Sequence, residues 1–229
     1  MESPDNIDST AGSGLVSTDL FSPYFSDSSV TIYHGDSRHI VPTLGGFDLL
    51  LTDPPYGIGD KWTTGEIVAK TGSSRLWGKG ETWDDQPAPW WLMLAMMERC
   101  EKSIVWGGNY YPMPPSRCWL SWDKVQEFTG SDSEHAWTNM DKAARTFRMS
   151  RGAAHAQMKK VHPTEKPLKL IQWCIEQAGD VATILDPFAG SGTTGEAAKV
   201  LGKRAVLIER EEKYCEAAAK RLSQEMLIF

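Results

Sequence analysis

The 229-residue sequence predicts an α/β fold of Rossmann-like type with a mostly parallel central sheet, on three observations. β-rich runs and helical patterns alternate through the second half of the chain, an order that lays parallel strands side by side with helices on both faces. The glycine turn Gly190-Ser191-Gly192 falls where a strand gives way to a helix. An apolar run, Phe47 to Thr52, ends abruptly at Pro54-Pro55, as a buried strand feeding a turn does.

Each element has its own signal. Residues 1–28 are rich in Ser, Asp, Gly and Thr and contain no Lys or Arg, the composition of a disordered acidic leader; a single domain then spans 29–229. Val30 to Tyr33 alternates as a strand broken by Gly35-Asp36, and Phe47 to Thr52 is the second strand. Residues 57–89 lack periodicity and are too long for an idle connection, so a mobile functional loop is expected there. Trp90 to Cys100 has helical spacing, and Ser103 to Trp106 and Cys118 to Trp122 are short strands. Thr164 is a candidate N-cap for a helix in which Leu168, Ile171, Cys174, Ile175 and Ala178 recur. Thr183 to Leu185 and Ala205 to Ile208 are strands, each followed by a helix, Gly192 to Leu201 and Glu211 to Met226.

Composition narrows the function classes. Cys100, Cys118, Cys174 and Cys215 form no Cys-x-x-Cys pair, and the five histidines show no ligand spacing, so no metal and no disulfide framework is expected. No stretch offers the ~20 apolar residues of a membrane span, and the first residues lack the pattern of a signal peptide; a soluble, cytoplasmic protein is expected. The net charge is -6, yet Lys142, Arg145, Arg148, Arg151, Lys159, Lys160, Lys166 and Lys169 face one acid, Glu165, between positions 142 and 169. A solvated basic face and a nucleic-acid contact both fit that run.

The turn Asp186-Pro187-Phe188-Ala189-Gly190-Ser191-Gly192-Thr193-Thr194 stands where doubly wound folds bind ligands. Its glycines permit a tight turn and close ligand approach, and the helix behind it presents unpaired N–H groups. No Gly-Lys-[Ser/Thr] follows, which argues against a phosphate-cradling loop. Gly190, Gly192 and Gly195 approach the dinucleotide fingerprint loosely, so NAD stays open at this point. Glu209 ends the next strand about twenty residues on, where an acid accepts hydrogen bonds from ribose hydroxyls.

Phe47-Asp48-Leu49-Leu50-Leu51-Thr52-Asp53-Pro54-Pro55-Tyr56 resembles motif IV of the DNA amino-methyltransferases, and Asp186 to Gly192 resembles their motif I. His162-Pro163-Thr164-Glu165-Lys166-Pro167 is similar to motif X of the class in which motif IV comes first, the permuted β class. The resemblance covers roughly residues 30 to 225. It implies an S-adenosylmethionine-dependent methyltransferase fold with circularly permuted motif order, and a methyl transfer to an exocyclic amine of a base in double-stranded DNA.

On that resemblance, Asp53, Pro54, Pro55 and Tyr56 are the expected catalytic residues. The amine's lone pair is delocalised into its ring, and two acceptors, the Asp53 carboxylate and the Pro54 carbonyl, would orient it and stabilise the charge that develops. Tyr56 would stack on a base flipped out of the duplex. The expected S-adenosylmethionine site comprises Asp36, Lys166, Asp186, Phe188, Ala189, Gly190, Ser191, Gly192, Thr193, Thr194 and Glu209, with Asp36 matching the acid that contacts adenine. Residues 139–161 match the target-recognition region, and Lys142, Arg145, Arg148, Arg151, Lys159 and Lys160 are its expected DNA contacts. That region is short, which implies a short, relaxed recognition sequence or completion by a partner in a homodimer. Asp at position 53 favours adenine N6 over cytosine N4, the alternative. An RNA methyltransferase, a NAD-dependent oxidoreductase and an idle nucleic-acid-binding module are the rival classes.

Overall fold

A computed structural model of the chain describes residues 21–58, 84–125, 131–157 and 165–224. Nine strands within these residues form one sheet: β1 (Phe25–Ser26), β2 (Val30–His34), β3 (Phe47–Thr52), β4 (Cys100–Trp106), β5 (Trp119–Asp123), β6 (Ser133–Thr138), β7 (Arg145–Arg148), β8 (Thr183–Asp186) and β9 (Arg204–Glu209). Their spatial order is β1-β2-β9-β8-β3-β4-β6-β5-β7. β2, β9, β8, β3 and β4 pair in parallel, whereas β1 and β6 run against their neighbours. The expected mostly parallel α/β sheet is what the chain forms.

Alternation along the strands explains the layers. Leu49 and Leu51 of β3 join one apolar cluster, and Leu50 joins the other, so a run that is apolar at every position buries both faces. All three are at most 1% exposed, and each such side chain contributes about 1.5–3 kcal/mol when buried. One face is covered by α4 (Leu168–Ala178), α5 (Thr193–Val200) and α6 (Glu212–Leu222), through residues such as Leu170, Ala197 and Cys215. The other is covered by the short α1 (Ser37–Ile40) and by α2 (Trp90–Glu98), through Ile40, Leu92, Met93 and Met96. A further helix, α3 (Arg151–Gln157), follows β7. All four cysteines are buried and free.

From β8 the chain moves outward to β9 on one side, and from β3 it moves to β4 on the other. The reversal point of a doubly wound sheet therefore lies between β8 and β3, where ligands bind beyond the strand ends. Asp186 closes β8 and Thr52 closes β3, and the Thr52 hydroxyl donates to Asp186 Oδ1 at 2.9 Å. The two sequence motifs meet at one crevice because of this topology.

The structure departs from the sequence reading in several places. Within the leader expected over 1–28, Phe25 and Ser26 pair with Ile32 and Thr31 at the sheet edge; residues 1–20 lie outside the described residues. Of the loop expected over 57–89, residues 59–83 lie outside the described residues, but Asp84 is 3% exposed and Pro87 bridges to Tyr56. α4 begins at Leu168 with Pro167 as its N-cap, while Thr164 lies outside the described residues. α6 is described to Leu222, short of the Met226 expected. β6 and β7 have no counterpart in the reading: Ser133, Glu134 and His135 give β6 a polar first half, and pairing with β5 makes it a strand.

Candidate active site

The residues after β3 are fixed from several directions. Tyr111 donates its hydroxyl to the Pro55 carbonyl, and Ala88 N reaches the same carbonyl at 3.3 Å. Asp84 Oδ1 accepts from the backbone N–H of Tyr56 at 2.5 Å and of Gly57 at 2.9 Å. The Tyr56 ring stacks on Tyr110 with centroids 4.7 Å apart and planes 14° from parallel. Its hydroxyl donates to Asp53 Oδ1, and burial, with the Asp53 charge beside it, pushes the phenol well above its usual range. One face of the ring expected to stack on a base is thus covered by Tyr110, a half-exposed ring that spacing alone did not single out.

Gly107 makes this packing possible. Its φ is +65°, and a Cβ there would lie 2.0 Å from Tyr56 Cε1. Gly107→Ala is expected to expel the Tyr56 ring, cost roughly 1–3 kcal/mol in urea unfolding, and cut the methyl-transfer rate about a hundredfold. An unchanged rate in single-turnover assay would contradict the role given to the wedge.

Lys166, expected at the cofactor, both lines a cavity beside the Asp-Pro-Pro-Tyr turn and bonds that turn. Its Nζ donates to Asp53 Oδ2 and sits 3.2 Å from Glu134 Oε2 and 5.4 Å from the Trp106 ring centroid. Glu134 in turn holds Lys124 Nζ at 2.6 Å. Burial opposes charge on Lys166, but Asp53 and Glu134 outweigh it and raise its pKa. Burial likewise works against the Glu134 carboxylate, and Lys166 and Lys124 overcome it, bringing the group down to about 2. Glu134 and Lys124 were missed in the sequence because they lie on unpredicted β6 and just past β5.

Beside the turn opens a cavity of about 450 Å³, lined by Asp53, Pro55, Lys166, Phe188, Gly190 and Glu209 among others. Ser191, Thr193, Thr194, Ala189, Asp186 and Asp36 also line it. Gly192 lies beneath rather than at the wall: at φ +81° its missing Cβ would meet Ala218 Cβ of α6 at 2.8 Å. Asp186 is a foundation too. Its carboxylate accepts from Thr194 Oγ1 at 2.6 Å, Thr52 Oγ1 at 2.9 Å and Phe188 N at 3.2 Å, and burial raises its pKa to about 6. Glu209 accepts from Gly190 N and Glu211 N, both at 2.8 Å, at the end of β9. Asp36 caps α1 and is chelated by Arg38, which lowers its pKa. Glu165 and Arg221 form a buried pair behind Thr193, whose hydroxyl accepts from Arg221 at 2.7 Å.

Among the described residues, Lys142 and Arg148 do not share one patch. Lys142 Nζ bonds the Gln177 carbonyl and side chain at the end of α4, where the parallel strands begin, across the sheet from Asp53. Arg148 ends β7, the outermost strand of the sheet, 70% exposed and 2.9 Å from Asp123 Oδ2; Arg145 starts that strand and is exposed. Lys159, Lys160 and His162 to Thr164 lie outside the described residues, as do Lys61, Lys70, Arg75 and Lys79, and the Arg151 side chain is likewise not described. Among the described residues, no helix is long and apolar enough to cross a membrane.

A parallel sheet whose reversal-point cavity joins a glycine turn to an Asp-Pro-Pro-Tyr turn defines the Rossmann-like methyltransferase class. Solved structures share the fold: the PvuII DNA methyltransferase, cytosine-N4-specific, matches with a TM-score of 0.59 at 18% identity over 90% of each chain. M1.HpyAVI in complex with SAM matches at 0.57, also at 18% identity, over 85% of this chain and 100% of that one. A family model described as DNA methylase, of N6/N4 type, matches residues 114–220. The type II methyltransferase M.HinfI of Haemophilus influenzae is 36% identical over 247 residues, covering 85% of this chain and 68% of its own. M2.DpnII of Streptococcus pneumoniae is 27% identical over 253 residues, 89% and 93% of the two chains. The chain belongs to the N6/N4 family of DNA methyltransferases.

Proposed function

We propose that this protein transfers the methyl group of S-adenosylmethionine to adenine N6 in double-stranded DNA. The observation that carries the reading is that Asp53 and Pro55 bound the same cavity as Phe188, Gly190 and Glu209. A nucleoside held at Glu209 and a base held at Asp53 would therefore share one enclosed space.

The residues present fit the cofactor. A volume of about 450 Å³ suits a molecule of that size, and a ligand pocket of this kind is commonly 300–1,000 Å³. Glu209 has acceptor lone pairs beyond those used by Gly190 and Glu211, and ribose hydroxyls are the donors it suits. Glu209→Gln is expected to weaken S-adenosylhomocysteine binding about tenfold by calorimetry, as charge-assisted bonds are worth roughly 1.5–3 kcal/mol. Unchanged affinity would remove Glu209 from the site.

S-adenosylmethionine supplies the methyl group on a sulfonium, which is left as a neutral thioether. The chain's own part is to present the amine. Asp53 accepts one N–H and the Pro54 carbonyl accepts the other, so the nitrogen lone pair is turned into the cavity as the N–C bond forms. The carboxylate then stabilises the positive charge on nitrogen until the surplus proton passes to water. Tyr111, Ala88 and Asp84 keep the acceptors in place from behind, so little reorganisation is needed at the moment of reaction. Exposed Arg148, at the end of β7, would supply a phosphate contact.

The test is to treat unmethylated plasmid DNA with the protein and methyl-tritiated S-adenosylmethionine, then digest it to nucleosides. Label in N6-methyladenine is expected. Label in N4-methylcytosine overturns the base assignment, and label only in an RNA control overturns the substrate class.

A further inference from the structure

Four charged groups run in a line from the catalytic turn across the sheet: Asp53, Lys166, Glu134 and Lys124. The mechanism uses the first. Lys166 is 8% exposed, and a buried lysine is costly unless its charge is matched. It stands against the carboxylate that must stabilise a cationic amine, where an uncompensated ammonium would oppose methyl transfer. Glu134 meets the same ammonium as Asp53; a third of its side chain is exposed, yet both carboxylate oxygens are turned onto lysines.

We propose that Glu134 is a positioning residue of the methyl transfer, neutralising Lys166 so that Lys166 can fix Asp53 without cancelling its charge. Asp53 alone has a single carboxylate for three donors: the Tyr56 hydroxyl, Lys166 and the incoming amine. With Glu134 sharing the ammonium, Lys166 sets the orientation of Oδ2 while the negative potential at the turn survives. Lys124 closes the line, offsetting the remaining charge of Glu134 at the end of β5, 5.3 Å from the Trp122 ring centroid. This rests on the reading that Asp53 holds the target amine.

The other titratable groups around Lys166 and Asp53 are Tyr56, Tyr111, Cys174 and Asp186, on the turn, the 3-10 segment after β4, α4 and β8. Burial raises the pKa of each, which keeps Tyr56, Tyr111 and Cys174 uncharged across the neutral range. Glu134 and Asp53 are the anions that balance Lys166 directly.

The experiment is single-turnover transfer from labelled S-adenosylmethionine to unmethylated plasmid DNA, for the intact chain, Glu134→Gln and Asp53→Ala, across pH 6 to about 10. For Glu134→Gln the rate at neutral pH is expected to fall about tenfold with the KM for S-adenosylmethionine within twofold. As pH rises, Lys166, short of one carboxylate, loses its proton earlier and the variant's rate climbs back, a rise absent from the intact chain. A second readout is the double variant Glu134→Gln with Lys166→Met: in the Lys166→Met background the Glu134 change is expected to have no further effect. A Glu134→Gln rate equal to that of the intact chain, a loss independent of pH, or losses that multiply in the double variant would overturn the proposal. Activity retained by Asp53→Ala would instead overturn the reading of the turn.

Discussion

Asp53→Ala is expected to slow methyl transfer by at least ~10³-fold, on the order of 4 kcal/mol of transition-state stabilisation. The loss is large because the carboxylate is asked both to orient the amine and to face its developing charge. S-adenosylhomocysteine affinity is expected to stay within about threefold, since Asp53 bonds Tyr56 and Lys166 rather than the glycine turn. Folding should weaken as well, because the bonds from the Tyr56 hydroxyl and Lys166 are both lost, although Lys166 keeps Glu134 at 3.2 Å. Equilibrium calorimetry beside single-turnover kinetics checks both halves. A variant that loses cofactor affinity in proportion to rate would show that Asp53 belongs to the binding site instead.

The largest expected stability effect lies at Arg221. Its guanidinium reaches Glu165 Oε1, Thr193 Oγ1 at 2.7 Å and Glu196 Oε2 at 3.5 Å, with 3% of the Arg221 and Glu165 side chains exposed. Glu165 Oε2 has no partner among the described residues. Arg221→Met would therefore strand a buried carboxylate, and a loss of about 3–5 kcal/mol in urea unfolding is expected. Adding Glu165→Leu is expected to recover most of that loss, because two apolar side chains of similar size replace a desolvated pair at little net cost. A double variant as unstable as the single one would show that the stranded charge is not the cause. Because Glu165 precedes Lys166 in the chain, this pair also anchors the segment that delivers Lys166 to Asp53.

Much of the frame was legible in the sequence because it rests on local patterns. Leu49, Leu50 and Leu51 mark a strand buried on both faces, and Gly190-Ser191-Gly192 marks a strand-to-helix turn. The glycine turn was read as a ligand site, and in the fold it lines one cavity with Asp53 and Glu209. What stayed hidden depends on contacts distant in sequence. Glu134 and Tyr110 carry no local signal of their roles; β6 is ordered by pairing with β4 and β5, and Tyr110 meets Tyr56 across 54 positions. Asp186 lines the cavity, yet its carboxylate also ties together Thr52, Thr194 and Phe188 N, a supporting role that its place in the motif did not reveal. The basic run is divided in the fold: Lys142 bonds Gln177 at the end of α4, whereas Arg148 ends β7 beside Asp123.

The central claim is that Asp53 and the Pro54 carbonyl together hold the target amine. Sequencing the treated plasmid identifies the methylated site, and a complex with that duplex and the inert cofactor analogue sinefungin then measures the geometry directly. The target nitrogen is expected about 2.7–3.2 Å from an Asp53 carboxylate oxygen and from the Pro54 carbonyl oxygen. A flipped base whose amine is bonded by other groups, with Asp53 still closed on Tyr56 and Lys166 alone, would contradict the account.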